Sequence, residues 1–256
     1  MIELEKDGHL AIVTINRPDA RNAVNGAVAS GIEEAIDDIE ADDGIWVWIL
    51  TGAGPTFSAG ADLKEINAGN AAALTTERGG FGGITMRDRR KPVIAAVNGP
   101  ALAGGLEIAI SCDMIVASEM ATFGIPEVKR SLVAAAGGVF RLPKMVGEKI
   151  AFEMIATGDP ITAERGYDLG LVNHVCPPDE VMVWARNIAQ RVIACAPLAV
   201  QESLAIAKQR HSMSDQELME LSINAFGRLA LSDDFREGLM AFIEKRDPVW
   251  TGTRPD

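Results

Sequence analysis

Val93-Ile94-Ala95-Ala96-Val97-Asn98-Gly99-Pro100-Ala101-Leu102-Ala103-Gly104-Gly105-Leu106-Glu107, followed by Ile108-Ala109-Ile110-Ser111-Cys112-Asp113-Met114-Ile115-Val116-Ala117, decides the fold class of this chain. Val93 to Val97 is a short apolar run ending at Asn98-Gly99, the pattern of a buried strand that leaves into a loop. Gly105 to Ser111 is a helical candidate, and Met114 to Ala117 is a second strand. Buried strands alternating with helices predict an α/β architecture. The stretch is not a membrane span, because Asn98, Pro100, Glu107 and Asp113 interrupt it with groups that hydrocarbon penalises.

The alternation extends towards the N-terminus. Leu10 to Asn16 is β-branched and stops at Arg17-Pro18, and Trp46 to Thr51 runs into Gly52. Between them Ile32, Ala35, Ile36 and Ile39 recur at helical spacing among acids, predicting an amphipathic helix. Beyond about Asp179 the strand signal ends, and Val181, Trp184, Ala185, Ile188 and Val192 keep helical spacing. Ser214 with Glu217, and Asp234 with Glu237, have the spacing of helix-start capping pairs. The stripe Leu218, Leu221, Ala225, Leu229 is expected to pack on the chain's own core, with a subunit interface as the alternative. Ala68 to Gly83, rich in Gly, Ala and Thr, is expected to be a mobile surface loop.

At 256 residues with 48% apolar, 23% charged and 25 glycines, the chain suits one large core and excludes disordered and fibrous classes. Its net charge of −12 opposes binding to a phosphate backbone, so no nucleic-acid partner is expected. Cys112, Cys176 and Cys195 lack ligand or disulfide-framework spacing, so no metal site is expected and a reducing compartment fits. Met1 to Gly8 has no basic start and apolar run, so a cytoplasmic location without a membrane anchor is expected.

The histidines, His9, His174 and His211, sit near no recognisable nucleophile turn. Ser58 lacks the first glycine of a nucleophile elbow, Thr56 standing there, and reads as structural. Two turns remain, Ala59-Gly60-Ala61-Asp62-Leu63-Lys64 and Ala103-Gly104-Gly105-Leu106-Glu107, each leading from a strand into a helix. Free amides at such starts can stabilise an oxyanion, though glycine there also serves packing alone. Glu107 is a charge in an apolar stretch, and Glu127 follows Pro126 at another helix start; each alone could be an acid satisfied by free amides. Together with an oxyanion hole, two carboxylates suit acid/base work on a carbon next to a carbonyl.

These blocks resemble the crotonase superfamily, the enoyl-CoA hydratase/isomerase family, over nearly the whole chain. The resemblance is carried by Asn16-Arg17-Pro18, Phe57 to Glu65, Ile94 to Gly99, Gly104 to Glu107, Phe123 to Glu127, Gly137-Gly138 and Ala241 to Arg246. It implies a spiral of repeated ββα units over residues 1–195 with the acyl-CoA site, and a helical region over 196–256 that makes trimers or dimers of trimers. It further implies that the amides of Ala61 and Gly104 form the oxyanion hole and that Glu107 and Glu127 are the catalytic pair. Coenzyme A would run along Ala59, Gly60, Ala61, Asp62, Leu63 and Lys64, with Arg21 as a further cation and Lys245 acting from a neighbouring subunit. No cofactor is implied beyond the coenzyme A of the substrate. The alternatives are Δ3,Δ2-enoyl-CoA isomerisation, which needs one glutamate, other crotonase chemistry, and a non-catalytic acyl-CoA-binding protein. Ala103 and Leu106 depart from the Gly and Cys frequent in hydratases, as does Pro100 from an aromatic residue.

Overall fold

The computed structural model describes residues 1–254. An antiparallel hairpin of β1 (Ile2–Asp7) and β2 (Leu10–Ile15) leads through α1 (Gly26–Ala41) to β3 (Val47–Gly52). Then come α2 (Leu63–Asn67), the short β4 (Thr75–Thr76) and β5 (Gly80–Phe81), β6 (Val93–Val97), β7 (Ala101–Leu102), α3 (Gly104–Ala109), β8 (Met114–Ser118) and β9 (Thr122–Gly124). The chain continues as α4 (Gly138–Val146), α5 (Glu148–Thr157), β10 (Ile161–Thr162), α6 (Ala163–Asp168), β11 (His174–Cys176) and α7 (Val181–Ile193). It closes with α8 (Pro197–Lys208), α9 (Asp215–Leu229) and α10 (Asp233–Glu244).

The main sheet has the order β1-β2-β3-β6-β8-β11, parallel except for the first pair. Strands β2, β3, β6 and β8 are buried on both faces, which is why they read as continuous apolar runs. Ala11, Val13 and Ile15 face the larger core with Ile32, Ile36 and Ile39 of α1, whereas Leu10 and Ile12 face a second core with Val181, Ala185 and Ile188 of α7. That split follows from the two-residue period of a strand. The helix expected from Ile32 to Ile39 is α1, with Asn25 as its N-cap through a bond from the Val28 amide.

The spiral arises from a unit used repeatedly: a strand in the main sheet, a short second strand, then a helix. β6-β7-α3 is one such unit, and β8-β9 followed by the 3-10 turn Pro126–Arg130 is the next. In the unit before them Ser58 takes the place of the second strand, bridging in parallel to Ala101, and Ala101 pairs in parallel with Phe123. Repeated ββα winding with a helical C-terminal region is the crotonase fold.

Three expectations change. Ala68 to Gly83 holds the β4–β5 hairpin and buried Leu74, and Gly83 serves close approach: a Cβ there would stand 2.2 Å from the carbonyl oxygen of Ala29 in α1. The last helix is capped by Ser232, which accepts from the Phe235 amide; the buried Asp234 instead accepts from the Thr251 and Gly252 amides of the C-terminal chain. In the stripe on α9 only Ala225 is buried, and Leu221 is exposed. The capping box of Ser214 and Glu217 forms as expected. No helix among the described residues is long and apolar enough to cross a membrane.

Candidate active site

The in-register pairing of Ser58, Ala101 and Phe123 draws together the three turns into which these residues lead. Ala61 and Gly104 lie three residues beyond their paired residues, and Glu127 lies four beyond Phe123. The first two turns touch, since a Cβ on Gly60 (φ +87) would stand 2.7 Å from the Gly104 amide nitrogen. Only glycine permits that approach and that left-handed backbone together. Ser58 supports the turn as a structural residue, donating to the Asn22 carbonyl and accepting from the Gly60 amide. The amides of Ala61 and Gly104 have no acceptor among the described residues. Ala103, just ahead of α3, holds φ +54 and ψ −130, a conformation that costs a side-chain-bearing residue roughly 1–3 kcal/mol. Its amide is tied to the Gly124 carbonyl of the next unit at 2.8 Å.

Glu107 in α3 is only 3% exposed, and its Oε1 accepts from the amides of Ala136 and Gly138, both at 2.8 Å. Burial pushes its carboxyl up; the two amides and the Arg141 guanidinium pull against that push. Glu127 is pushed up to about 7, first by burial and further by the charge of Glu107. Its Oε2 is buried without a hydrogen-bond partner. These groups open onto a cavity of about 770 Å³.

Of the residues singled out from the sequence, Arg21, Ala59, Ala61, Leu63, Gly104, Glu107 and Glu127 line this cavity. Gly60, Asp62, Lys64 and Lys245 do not. Gly60 sits behind the wall at the contact with Gly104, and Asp62 is held by Arg17 at 2.6 Å while capping α2 through the Lys64 amide. Lys64 is exposed, and Lys245 is the exposed left-handed C-cap of α10. Sequence reasoning misses Arg141, which lines the cavity and bonds to the Ser111 hydroxyl and the Thr85 carbonyl. Its sole sequence signal is its place shortly after Gly137-Gly138, because an isolated arginine ordinarily reads as a solvated surface charge. Among the described residues no three His, Cys, Asp or Glu side chains cluster as a metal site would need.

The family profile "Enoyl-CoA hydratase/isomerase" matches residues 5–253. This chain belongs to the enoyl-CoA hydratase/isomerase family. Within the crotonase superfamily it is similar to an enoyl-CoA hydratase of Mycobacterium tuberculosis, with 43% identity, a TM-score of 0.94, and coverage of 98% of this chain and 99% of that one. A carnitinyl-CoA hydratase structure from Mycobacterium avium is 42% identical with a TM-score of 0.77, covering 98% of each chain. The carnitinyl-CoA dehydratase of Salmonella arizonae is 39% identical over 257 residues, again 98% of each. A hydratase or dehydratase type of enzyme acting without a cofactor beyond its coenzyme A substrate is the coarse reading that the family supports.

Proposed function

We propose that this enoyl-CoA hydratase/isomerase family member adds water across the C2=C3 bond of a trans-2-enoyl-CoA, or runs the reverse dehydration. The observation that carries this reading is the pair Glu107 and Glu127 on one cavity with the unengaged amides of Ala61 and Gly104. In the forward direction, Glu107 takes a proton from water as the water oxygen bonds to C3. The C2=C3 electron pair moves into the thioester as an enolate, whose oxygen accepts from the two amides. Glu127 then gives its proton to C2, and return of the proton from Glu107 to Glu127 through solvent restores the site. A carboxyl pushed up to about 7 is suited to the donor role near neutral pH.

Coenzyme A would enter past Ala59, Ala61 and Leu63, with Arg21 at the cavity as a cation for its phosphates. Gly60 and Asp62 act through the turn they build, whereas Lys64 and Lys245 would need to reach the cofactor moiety from outside the lining. Residues 1–195 form the acyl-CoA unit and 196–256 the assembly region of a trimer or dimer of trimers in this reading. Support comes from Phe226, Phe242 and Ile243, exposed by 66%, 85% and 70%, since so much bared apolar surface favours a covering partner. Pro255 and Asp256 of that region lie outside the described residues. The test is a panel of trans-2-enoyl-CoA thioesters, followed by loss of the conjugated enoyl absorbance. Consumption that Glu107→Gln and Glu127→Gln abolish is the expected result; acyl-CoA binding with no consumption would turn the reading towards another crotonase chemistry or a non-catalytic binder.

A further inference from the structure

Two of the similar proteins are named for carnitinyl-CoA, whose acyl group ends in a trimethylammonium cation. A permanent cation of that kind is held by a carboxylate or by open aromatic faces. The cavity supplies no carboxylate beyond the reacting groups. Its acidic lining residues are Glu107 and Glu127, against three cations, Arg21, Arg130 and Arg141. Burial also disfavours the charged form of both glutamates.

Each of the two aromatic rings on the wall is engaged on one side by the protein itself. The Arg141 guanidinium carbon lies 5.6 Å from the centroid of the Phe140 ring, so the protein's own cation occupies that face. The Phe81 ring packs against Gly104, where a Cβ would come within 2.3 Å of its Cε1. No Trp or Tyr lines the cavity among the described residues. Arg141 is held at the wall by bonds from its Nη1 to Ser111 Oγ at 2.8 Å and from its Nη2 to the Thr85 carbonyl at 2.6 Å, which fixes its positive charge there. The rest of the wall includes the exposed apolar side chains of Met86, Leu132 and Val133.

We propose that this cavity excludes an acyl group ending in a quaternary ammonium, so that the chain does not share the carnitinyl substrate of its similar proteins. The inference rests on the cavity being an acyl-CoA site, and it concerns binding, whatever reaction the bound thioester undergoes. Excess positive charge repels a cation in a low-dielectric pocket, and an apolar wall offers nothing to replace its hydration.

The test compares dissociation constants by calorimetry for three saturated thioesters on the whole protein. These are 4-trimethylammoniobutyryl-CoA, its neutral carbon isostere 5,5-dimethylhexanoyl-CoA, and hexanedioyl-CoA with a terminal carboxylate. The neutral thioester should bind at least ten-fold more tightly than the trimethylammonio one, and the dicarboxylic thioester should also bind more tightly than the cation. Val133→Glu, which adds an acid to the wall, should narrow or reverse the gap between the cation and the neutral ligand. Binding of the cation as tightly as the neutral thioester, or more tightly than the dicarboxylic one, overturns the proposal. Turnover of trans-2-enoyl-CoA is measured alongside: discrimination without turnover would overturn the hydratase reading alone, and turnover without discrimination would overturn this inference alone. Failure of all three thioesters to bind would overturn both.

Discussion

Gly138 donates its amide hydrogen to Oε1 of Glu107 at 2.8 Å, and a Cβ at Gly138 would stand 3.1 Å from that same oxygen. The carboxylate is therefore positioned by a glycine whose missing side chain makes room for it. Glu107→Gln can keep an oxygen on both amides while losing the base, so kcat should fall by ~10²–10⁴ with Tm shifted by no more than a few degrees. Gly138→Ala displaces the carboxyl by a few tenths of an ångström and should lower kcat more than it changes KM. Steady-state kinetics with thermal melts check both, and an unaltered kcat in Glu107→Gln would remove it from the mechanism.

The pH dependence follows from Glu127. Its carboxyl, pushed up to about 7, must be protonated to deliver a proton to C2, so kcat/KM for hydration should fall as pH rises through about 7. Dehydration needs the ionised form and should rise over the same range. The folded state favours the protonated acid, so the stability this gives is fully present below the ordinary carboxyl value near 4.5 and is lost as pH rises through about 7. Glu127→Gln should abolish hydration and remove this stability slope. Rate profiles in each direction, with denaturant unfolding at several pH values, decide it.

Ala103 carries its methyl group at φ +54 immediately before α3. Ala103→Gly relieves that strain but loosens the unfolded chain, so stability should hold or rise by up to about 1 kcal/mol. Ala103→Val adds a β-branch at the same backbone and should lose roughly 1–3 kcal/mol. Urea unfolding measures both. A clear loss in the glycine variant would mean that the methyl group's packing outweighs the strain.

The apolar surface of the C-terminal helices sets a prediction for assembly. Phe226→Asp together with Phe242→Asp should reduce a trimer or hexamer to smaller species in sedimentation velocity, because each charge would have to be desolvated at the contact. An assembly that survives both changes would place the interface elsewhere.

Periodicity alone made β2, β3, β6, β8, α1 and α7 legible, because two-sided burial leaves unbroken apolar runs and one-sided burial leaves a 3.6-residue stripe. Glu107 stood out for a related reason, as a charge inside an apolar run. Local pattern was weaker where several residues could do one job: Ser232, Asp233 and Asp234 are all good caps, and the C-terminal chain decides by drawing Asp234 to the Thr251 and Gly252 amides. The glycines of Ala68 to Gly83 suggest mobility in sequence, yet Gly83 is there because α1 passes close by. Arg141 could not be picked out, since its role depends on the buried hydroxyl and carbonyl it meets. The sequence by itself determined four strands of the main sheet, the principal helices and two carboxylates that stand out from their surroundings, all properties of neighbouring residues. Only the tertiary structure brought Ala61, Gly104, Glu107 and Glu127 onto one cavity, because their convergence depends on Ser58, Ala101 and Phe123 pairing in register across long stretches of chain.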